Sequence, residues 1–279
     1  LIREFPQSSL ARKAGIQLGL LYYNDNQPEK ALAAYKQVIS NYPGSEEAKI
    51  ALQDLKSVYI DLNDINAYAS YVNSIGGNIR LEVGEQDSLT YIAAEKLFMR
   101  GDNDGARRSL INYLQTFPEG AFSSNANFYL GSIAFAKKEF DEAIQRFKSV
   151  IASGDTKFLE ESVARTAEIE YLSKDYPAAL ESFKRLLIVA ENPENRQAAR
   201  LGIMRCALQT GQQKDALLAA DELLKEPKLS PELEAEARYV RAKAYIAQKK
   251  ANKALADLKE LSKDTRTVHG AEAKYLLAQ

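Results

Sequence analysis

The sequence is poor in the side chains from which most enzyme and metal sites are built. It has one cysteine, Cys206, one histidine, His269, and no tryptophan. A lone cysteine cannot form an internal disulfide, and one cysteine with one histidine cannot supply a zinc site. The same shortage leaves no histidine-activated nucleophile, since His269 stands beside Gly270 in a predicted surface connection. The sequence therefore predicts no metal, no cofactor and no catalytic site.

Long apolar runs and a large net charge are also missing. Short runs such as residues 186–190 fall far below the roughly 20 apolar residues of a membrane span. Lysine and arginine number 37 against 38 aspartate and glutamate residues, a formal net charge of −1. Such a chain has no general attraction to nucleic acid or to an anionic membrane. We expect no nucleic-acid partner and no direct membrane insertion by this segment.

Helix breakers are few, with 14 glycines and 8 prolines among 279 residues. The segments between them are rich in alanine, leucine, glutamate, lysine and glutamine, which favour helices. This composition predicts an all-α chain. Its length exceeds the usual single-core domain, so it forms either two domains or one elongated repeat array.

A repeated pattern favours the array. Leu18-Gly19 is followed by Tyr22, then by Ala31, Tyr35 and Pro43. The pair formed by Ala31 and Tyr35, a small residue and a larger apolar one four positions later, recurs in later segments with other residues. These small residues are Ala106, Ala143, Ala179, Ala216 and Ala254, at intervals of 37, 36, 37 and 38 residues. A fixed period of this length is typical of stacked helix pairs that share one continuous core.

The spacing resembles the tetratricopeptide repeat, Leu-Gly-x2-Tyr, Ala-x3-Phe and Pro, without its opening tryptophan. The resemblance implies a right-handed α-α superhelix of about seven helix pairs, with partial repeats at both ends; an unrelated α-solenoid is the alternative. The repeats are placed at about 9–45, 46–75, 88–120, 122–155, 159–192, 195–228 and 230–265, with a loop at 76–87. The second repeat is degenerate, and we place Ile65 and Ala69 in its second helix.

Both ends of the chain look cut within repeats. Phe5-Pro6-Gln7-Ser8 matches the close of a preceding unit, and residues 271–278 match the first helix of a following one. The chain opens on Leu1 without a signal-peptide pattern, so we expect a processed or excised segment of a longer protein.

In this family the first helices of the pairs line an extended concave surface. The repeat frame places aromatic residues at two recurring first-helix positions and polar residues between them. These candidates for partner binding are Tyr23, Tyr91, Glu95, Phe98, Phe128, Phe135, Glu168, Tyr171, Arg205, Tyr239 and Lys243. Aromatic side chains anchor interfaces at small entropic cost, but the same rings could pack helix against helix between repeats.

Three further features could be structural or functional, namely Cys206, the acidic segment 101–105 and the cation-rich segment 237–256. Cys206 occupies a first-helix position that is mostly apolar in other repeats, which indicates a buried thiol. The acidic segment 101–105 lacks the ligand alternation of a calcium loop and reads as a turn. Residues 237–256 contain six cations and no acid, which indicates either a solvated face or a patch for an acidic partner.

We therefore expect a non-enzymatic scaffold or adaptor that binds protein or peptide partners, with self-association possible. The connectors around 5–9 and 41–46 resemble those of envelope-associated tetratricopeptide proteins of Gram-negative bacteria, which implies a periplasmic or cell-envelope location. A cytoplasmic location is the alternative. The alternative function is a substrate-recruiting or ligand-binding module of a larger enzyme or regulatory protein.

Overall fold

The computed structural model describes residues 8–76, 79–154 and 157–278. Over these residues it contains fifteen α-helices and no strand, so the all-α prediction is confirmed. The helices are α1 (Ser9–Asn24), α2 (Pro28–Asn41), α3 (Glu46–Asp61), α4 (Ile65–Ile75), α5 (Val83–Met99), α6 (Asn103–Thr116), α7 (Ser123–Ala136), α8 (Phe140–Ser153), α9 (Leu159–Leu172), α10 (Tyr176–Val189), α11 (Pro193–Gln209), α12 (Gln213–Leu223), α13 (Pro231–Ala247), α14 (Ala251–Leu261) and α15 (Val268–Ala278).

The chain divides into two compact units, Leu1–Leu130 and Gly131–Gln279, and the boundary falls inside α7. Unit 1 has a core around Tyr35, Leu55 and Val58. Unit 2 has a core around Phe183 and Met204, and a smaller cluster joins α14 to α15. Helices pack against their successors, as α1 does with α2 and α9 with α10, and first helices also pack against the next first helix, as α1 does with α3 and α9 with α11.

Local sequence explains where many of these helices begin. Side chains at the N-cap accept a hydrogen bond from a free backbone N–H of the first turn, which would otherwise lack a partner. The N-cap residues that do so are Ser8, Ser45, Asp64, Asp102, Asp175, Asn192 and Ser230. Asp102 caps α6 through the Gly105 N–H at 2.9 Å, so the acidic segment 101–105 is a capped turn.

The turns inside the helix pairs share one left-handed residue. The residues with positive φ at these turns are Asn26, Asn63, Gly101, Lys138, Lys174, Gly211 and Lys249. In six pairs this residue lies five positions before the small second-helix alanine. In the second pair the same spacing leads from Asn63 to Tyr68, which is buried. Ile65 and Ala69 lie in α4, the second helix of this pair, as predicted, and Tyr68 replaces the small residue that marks the other repeats.

The motif residues make the contacts that the repeat requires. A Cβ atom added to Gly19 would collide with the Tyr35 ring, and one added to Gly131 would lie 2.8 Å from the Phe147 ring. Glycine at these places lets the first helix approach the aromatic side chain of its partner helix. The Leu-Gly and Ala-x3-aromatic elements of the sequence are therefore two sides of one packed interface.

Two helices start earlier than the sequence predicts. The loop placed at 76–87 is helical from Val83, where the Gln86 N–H donates to the Glu82 carbonyl at 2.9 Å. The buried Asp87 fixes this turn by accepting bonds from the Tyr113 hydroxyl at 2.5 Å and the Ala121 N–H at 2.8 Å. Helix α15 begins at Val268 rather than 271. Other expectations rested on residues that lie outside the described part of the chain, namely Phe5, Pro6, Gln7, Gly77 and Asn78.

Candidate partner-binding site

Most of the predicted groove residues are half-buried on the first helices. Tyr91 is the exception, since only 2% of it is exposed. Its ring stacks on Phe122 with centroids 4.5 Å apart and meets the edge of Tyr113 at 5.8 Å. The expectation that Tyr91 lies open in a groove is therefore wrong, because neighbouring rings cover it completely. The role of the other candidates in binding stays a prediction.

In unit 1 the polar candidate Glu95 serves as an internal acceptor. Its Oε1 accepts hydrogen bonds from the Tyr91 hydroxyl at 2.6 Å and the Tyr129 hydroxyl at 2.9 Å. Phe98 lies against the Tyr129 ring with centroids 4.6 Å apart. Burial, with the hydrogen bond to Glu95, raises the pKa of both tyrosines, which keeps the hydroxyls protonated as donors. This part of the face is closed by its own contacts.

Asp61 organises a second polar cluster in unit 1 that the sequence gives no signal for. Its carboxylate accepts a hydrogen bond from the Tyr23 hydroxyl and forms ion pairs with Lys96 and with Arg100, the latter at 3.0 Å. These residues come from α1, α3 and α5, with Arg100 directly after α5, so the cluster links three successive first helices. Tyr23 is held in this cluster, while two cations share one carboxylate on the surface.

In unit 2 the first helices α9 and α11 border a pocket of about 380 Å³. Three sequence-predicted residues, Glu168, Tyr171 and Arg205, line it. The remaining lining residues are Glu161, Ala164, Arg165, Leu172, Phe183, Leu186, Asn195, Ala198, Leu201 and Gly202. The lining is mainly apolar, and a few charged and amide groups stand around it. This arrangement is typical of a site that receives a side chain of a ligand.

The floor of the pocket depends on Gly202. A Cβ atom at this position would collide with the Phe183 ring, so α11 can approach α10 only because the side chain is missing. Tyr171 meets Phe183 edge to face at 6.4 Å and Tyr176 at 5.7 Å. Tyr171 thus forms part of the pocket wall and is also fixed by packing, and its role in binding stays a prediction.

The two arginines of the pocket are already paired. Arg205 Nε and Nη2 donate to the two carboxylate oxygens of Glu236, each at 2.7 Å. This hydrogen-bonded pair raises the pKa of Arg205. Arg165 donates to Glu161 at 2.8 Å and to Glu168 at 2.9 Å, and its guanidinium lies 4.9 Å from the centre of the Phe135 ring. Phe135 therefore supports the arginine that stands at the pocket rim.

The last two first helices form a smaller cluster around Tyr239. Its ring stacks on His269 at 4.7 Å and faces Lys243 Nζ at 5.5 Å, while Lys243 pairs with Glu272 at 3.3 Å. His269 belongs to the first turn of α15, so its predicted place in a connection is wrong. The helix starts three residues before the predicted boundary and brings the imidazole onto the tyrosine.

The cation-rich segment 237–256 is partly neutralised from neighbouring helices. Arg241 donates to Asp257 at 2.7 Å and to Asp221 at 2.9 Å, and Arg238 donates to Asp257 at 3.1 Å. Asp257 is 2% exposed, so these charges hold α13 to α14 and α12. An acidic partner is not needed to balance the arginines, because their acids lie outside the segment in sequence.

Cys206 is buried, as its apolar position predicts, and burial raises the pKa of the thiol to about 11. A thiol of this kind is a packing group and a poor nucleophile at neutral pH. Among the residues that the structure describes, no group of three or more histidine, cysteine, aspartate or glutamate side chains could hold a metal ion. None of the described helices combines the length and apolarity needed to cross a bilayer.

Stacked helix pairs with this contact pattern define an all-helical repeat protein. Models of the tetratricopeptide repeat match residues 14–45 and residues 93–156. These two segments are tetratricopeptide repeats, a fold that supports protein–protein interaction in general. Comparison with curated protein sequences gives no significant match.

Several solved structures are similar to this chain at low identity. The C-terminal part of a tetratricopeptide repeat-containing protein from Cytophaga hutchinsonii is 15% identical, with 92% of this chain and 98% of that one covered and a TM-score of 0.48. PilW, described as a widely conserved type IV pilus biogenesis factor, is 14% identical, with 82% and 99% covered and a TM-score of 0.42. YrrB, described as having an unusual peptide-binding site, is 16% identical, with 71% and 95% covered and a TM-score of 0.37.

Proposed function

We propose that the chain is a non-catalytic scaffold that holds protein or peptide partners on the face formed by its first helices. The observation that supports this is the pocket between α9 and α11, which Glu168, Tyr171 and Arg205 line together with an apolar floor. Concave sites of a few hundred Å³ with convergent polar groups suit the side chains of a ligand. The pocket is one contact point on this face, and half-buried rings such as Phe135 flank it.

We further propose a periplasmic or cell-envelope location and a role in bacterial envelope assembly. The support is the resemblance of the connector at residues 41–46 to those of envelope-associated tetratricopeptide proteins. A cytoplasmic recruiting module of a larger enzyme or regulator is the competing outcome. The two differ in which fraction of the source organism contains the partner.

The test is to immobilise the chain and incubate it with envelope and cytosolic fractions of the source organism. The blocking variant is Ala198→Phe, because Ala198 lines the pocket on an exposed face of α11. The matched control is Ala256→Phe on the exposed face of α14, which adds the same ring away from the pocket. We expect both variants to keep the helical circular dichroism of the unchanged chain.

An envelope protein that is captured by the unchanged chain and the control, but lost with Ala198→Phe, is the expected result. A pocket-dependent partner from the cytosolic fraction would contradict the envelope role and favour the recruiting module. Partners that bind all three forms equally would show that the α9–α11 pocket is not the binding site.

A further inference from the structure

The apolar part of the α9–α11 pocket is large enough for one or two side chains. Its floor and walls consist of Phe183, Leu186, Leu201 and Leu172, and Ala164 and Ala198 leave space above them. Buried apolar surface is the main source of affinity in such a pocket. An aliphatic or aromatic side chain of a partner therefore fits the floor, whereas a charged group placed there would lose its hydration.

The rim of the pocket has an uncompensated negative charge. Arg205 is neutralised by both oxygens of Glu236, so this pair contributes no net charge. Arg165 is the single cation between Glu161 and Glu168, and each carboxylate uses one oxygen toward it, Oε1 of Glu161 and Oε2 of Glu168. One positive and two negative charges leave a net charge of −1 at the rim. The side chains of Glu161 and Glu168 are 42% and 45% exposed, so a ligand can reach them.

A carboxylate ligand would be unfavourable at this rim. It would have to compete with Glu236 for Arg205, whose charge Glu236 already neutralises, or enter beside the two glutamates that surround Arg165. Replacing a bidentate arginine–carboxylate pair by another one gives no net gain, and the displaced glutamate would add repulsion. A cation, in contrast, can stand beside Glu161 or Glu168 without breaking either existing pair.

We propose that this pocket binds a peptide segment that carries an apolar side chain next to a lysine or arginine. The apolar side chain enters the floor between α9 and α11, and the cation lies beside Glu161 or Glu168. This inference rests on the proposed function, since it names the partner chemistry of the same pocket.

The test is a selection of displayed random dodecapeptides on the purified full chain. Parallel selections use the blocked variant Ala198→Phe and the charge-reversed variant Glu161→Lys/Glu168→Lys. We expect peptides with adjacent apolar and basic residues from the unchanged chain, none of these from the blocked variant, and apolar–acidic peptides from the charge-reversed variant. All three substitutions lie on partly or fully exposed helix faces, so the core is untouched.

A second measurement needs no protein variant. Fluorescence anisotropy compares a selected peptide with the same peptide in which its lysine or arginine is replaced by glutamate. We expect affinity to fall by about tenfold or more, and the affinity of the basic peptide to weaken as salt is added.

The outcomes separate the two proposals. Selected peptides that depend on the pocket but are acidic or purely polar would overturn the inference and leave the proposed function standing. If no selected peptide distinguishes the unchanged chain from Ala198→Phe, the pocket does not bind peptides and both proposals fail.

Discussion

We call the place where two consecutive first helices meet a junction. Side chains fill one such junction, and another contains a pocket. In unit 1, Tyr91 on α5 stacks on Phe122, which immediately precedes α7, and the two rings occupy the space between neighbouring first helices. In unit 2, the corresponding residues are Ala164 on α9 and Asn195 on α11, and this junction is a pocket of about 380 Å³. The correspondence follows from the repeat frame. Tyr91 and Ala164 each lie fifteen residues before a second-helix alanine, Ala106 and Ala179 respectively.

The comparison indicates that the size of two side chains decides whether the space beside a first helix is filled by rings or remains open as a pocket. First helices pack against one another in both units, as α3 does with α5 and α9 with α11. Where both side chains are aromatic, as with Tyr91 and Phe122, stacking closes the face, and Glu95 accepts a hydrogen bond from the Tyr91 hydroxyl. Where one is alanine and the other asparagine, the apolar floor stays accessible. A pocket thus arises where the repeat lacks its large residues.

The largest effect is expected when the filled junction is opened. Tyr91→Ala removes a buried ring that contacts Phe122 and Tyr113, and we expect the free energy of unfolding to fall by about 3–5 kcal/mol. Urea denaturation followed by circular dichroism measures the loss. The control is Tyr275→Ala, because Tyr275 is 64% exposed, and this change should alter stability by less than about 0.5 kcal/mol. Equal midpoints for the two variants would show that the Tyr91 ring is not core.

The repeat frame itself could be predicted from sequence because each motif residue has a contact partner. Gly19 and Tyr35 are far apart in the chain but touch, and their spacing recurs with Gly131 and Phe147. The second repeat was harder to place, since Tyr68 stands where the others have alanine. Its frame is visible only through the left-handed turn at Asn63.

The candidate site was only partly predictable. A search for groove residues favours large aromatic side chains, and this reasoning selected Tyr91, which is buried. It also selected Tyr171 and Arg205, which line the pocket, but it did not select the alanines that create the space. Asp61 and Asp87 were missed because their partners lie on other helices, and sequence spacing gives no indication of such tertiary hydrogen bonds.

A smaller change in stability is expected when the open junction is filled. Ala164→Tyr with Asn195→Phe reproduces the Tyr91–Phe122 pair in unit 2. A stacked pair contributes about 0.5–1.5 kcal/mol, which offsets the lost hydrogen bond from Asn195 to Glu160, 2.7 Å long and worth about 1 kcal/mol. We expect stability to stay within about 1 kcal/mol of the unchanged chain, while binding of a pocket-selected peptide falls at least tenfold.

Urea denaturation and anisotropy with the same peptide measure the two quantities. The matched control is Asn195→Ala, which loses the hydrogen bond to Glu160 but leaves the pocket open. It should bind the peptide with nearly unchanged affinity. If the filled variant binds as tightly as this control, the difference between the junctions does not determine binding.

The smallest effect that we expect is a difference between the two units in resistance to proteolysis at alkaline pH. It arises from their buried tyrosines. In unit 1, burial raises the pKa of Tyr35 and Tyr68 from 10.0 to about 12. The folded chain holds these protons more tightly than the unfolded chain. Their contribution to stability is therefore complete below pH 10.0 and is lost as the pH rises toward 12. In unit 2, Tyr239 is the one tyrosine among the described residues whose pKa is resolved as raised.

We therefore expect subtilisin at a pH between these two values to cleave unit 1 before unit 2, with mass spectrometry locating the cuts. The double variant Tyr35→Phe/Tyr68→Phe cannot ionise at these positions, so a control digestion should show a smaller difference between neutral and alkaline pH. Cleavage that begins in unit 2, or a pH dependence that the double variant leaves unchanged, would contradict this account. In that case another group governs the alkaline response.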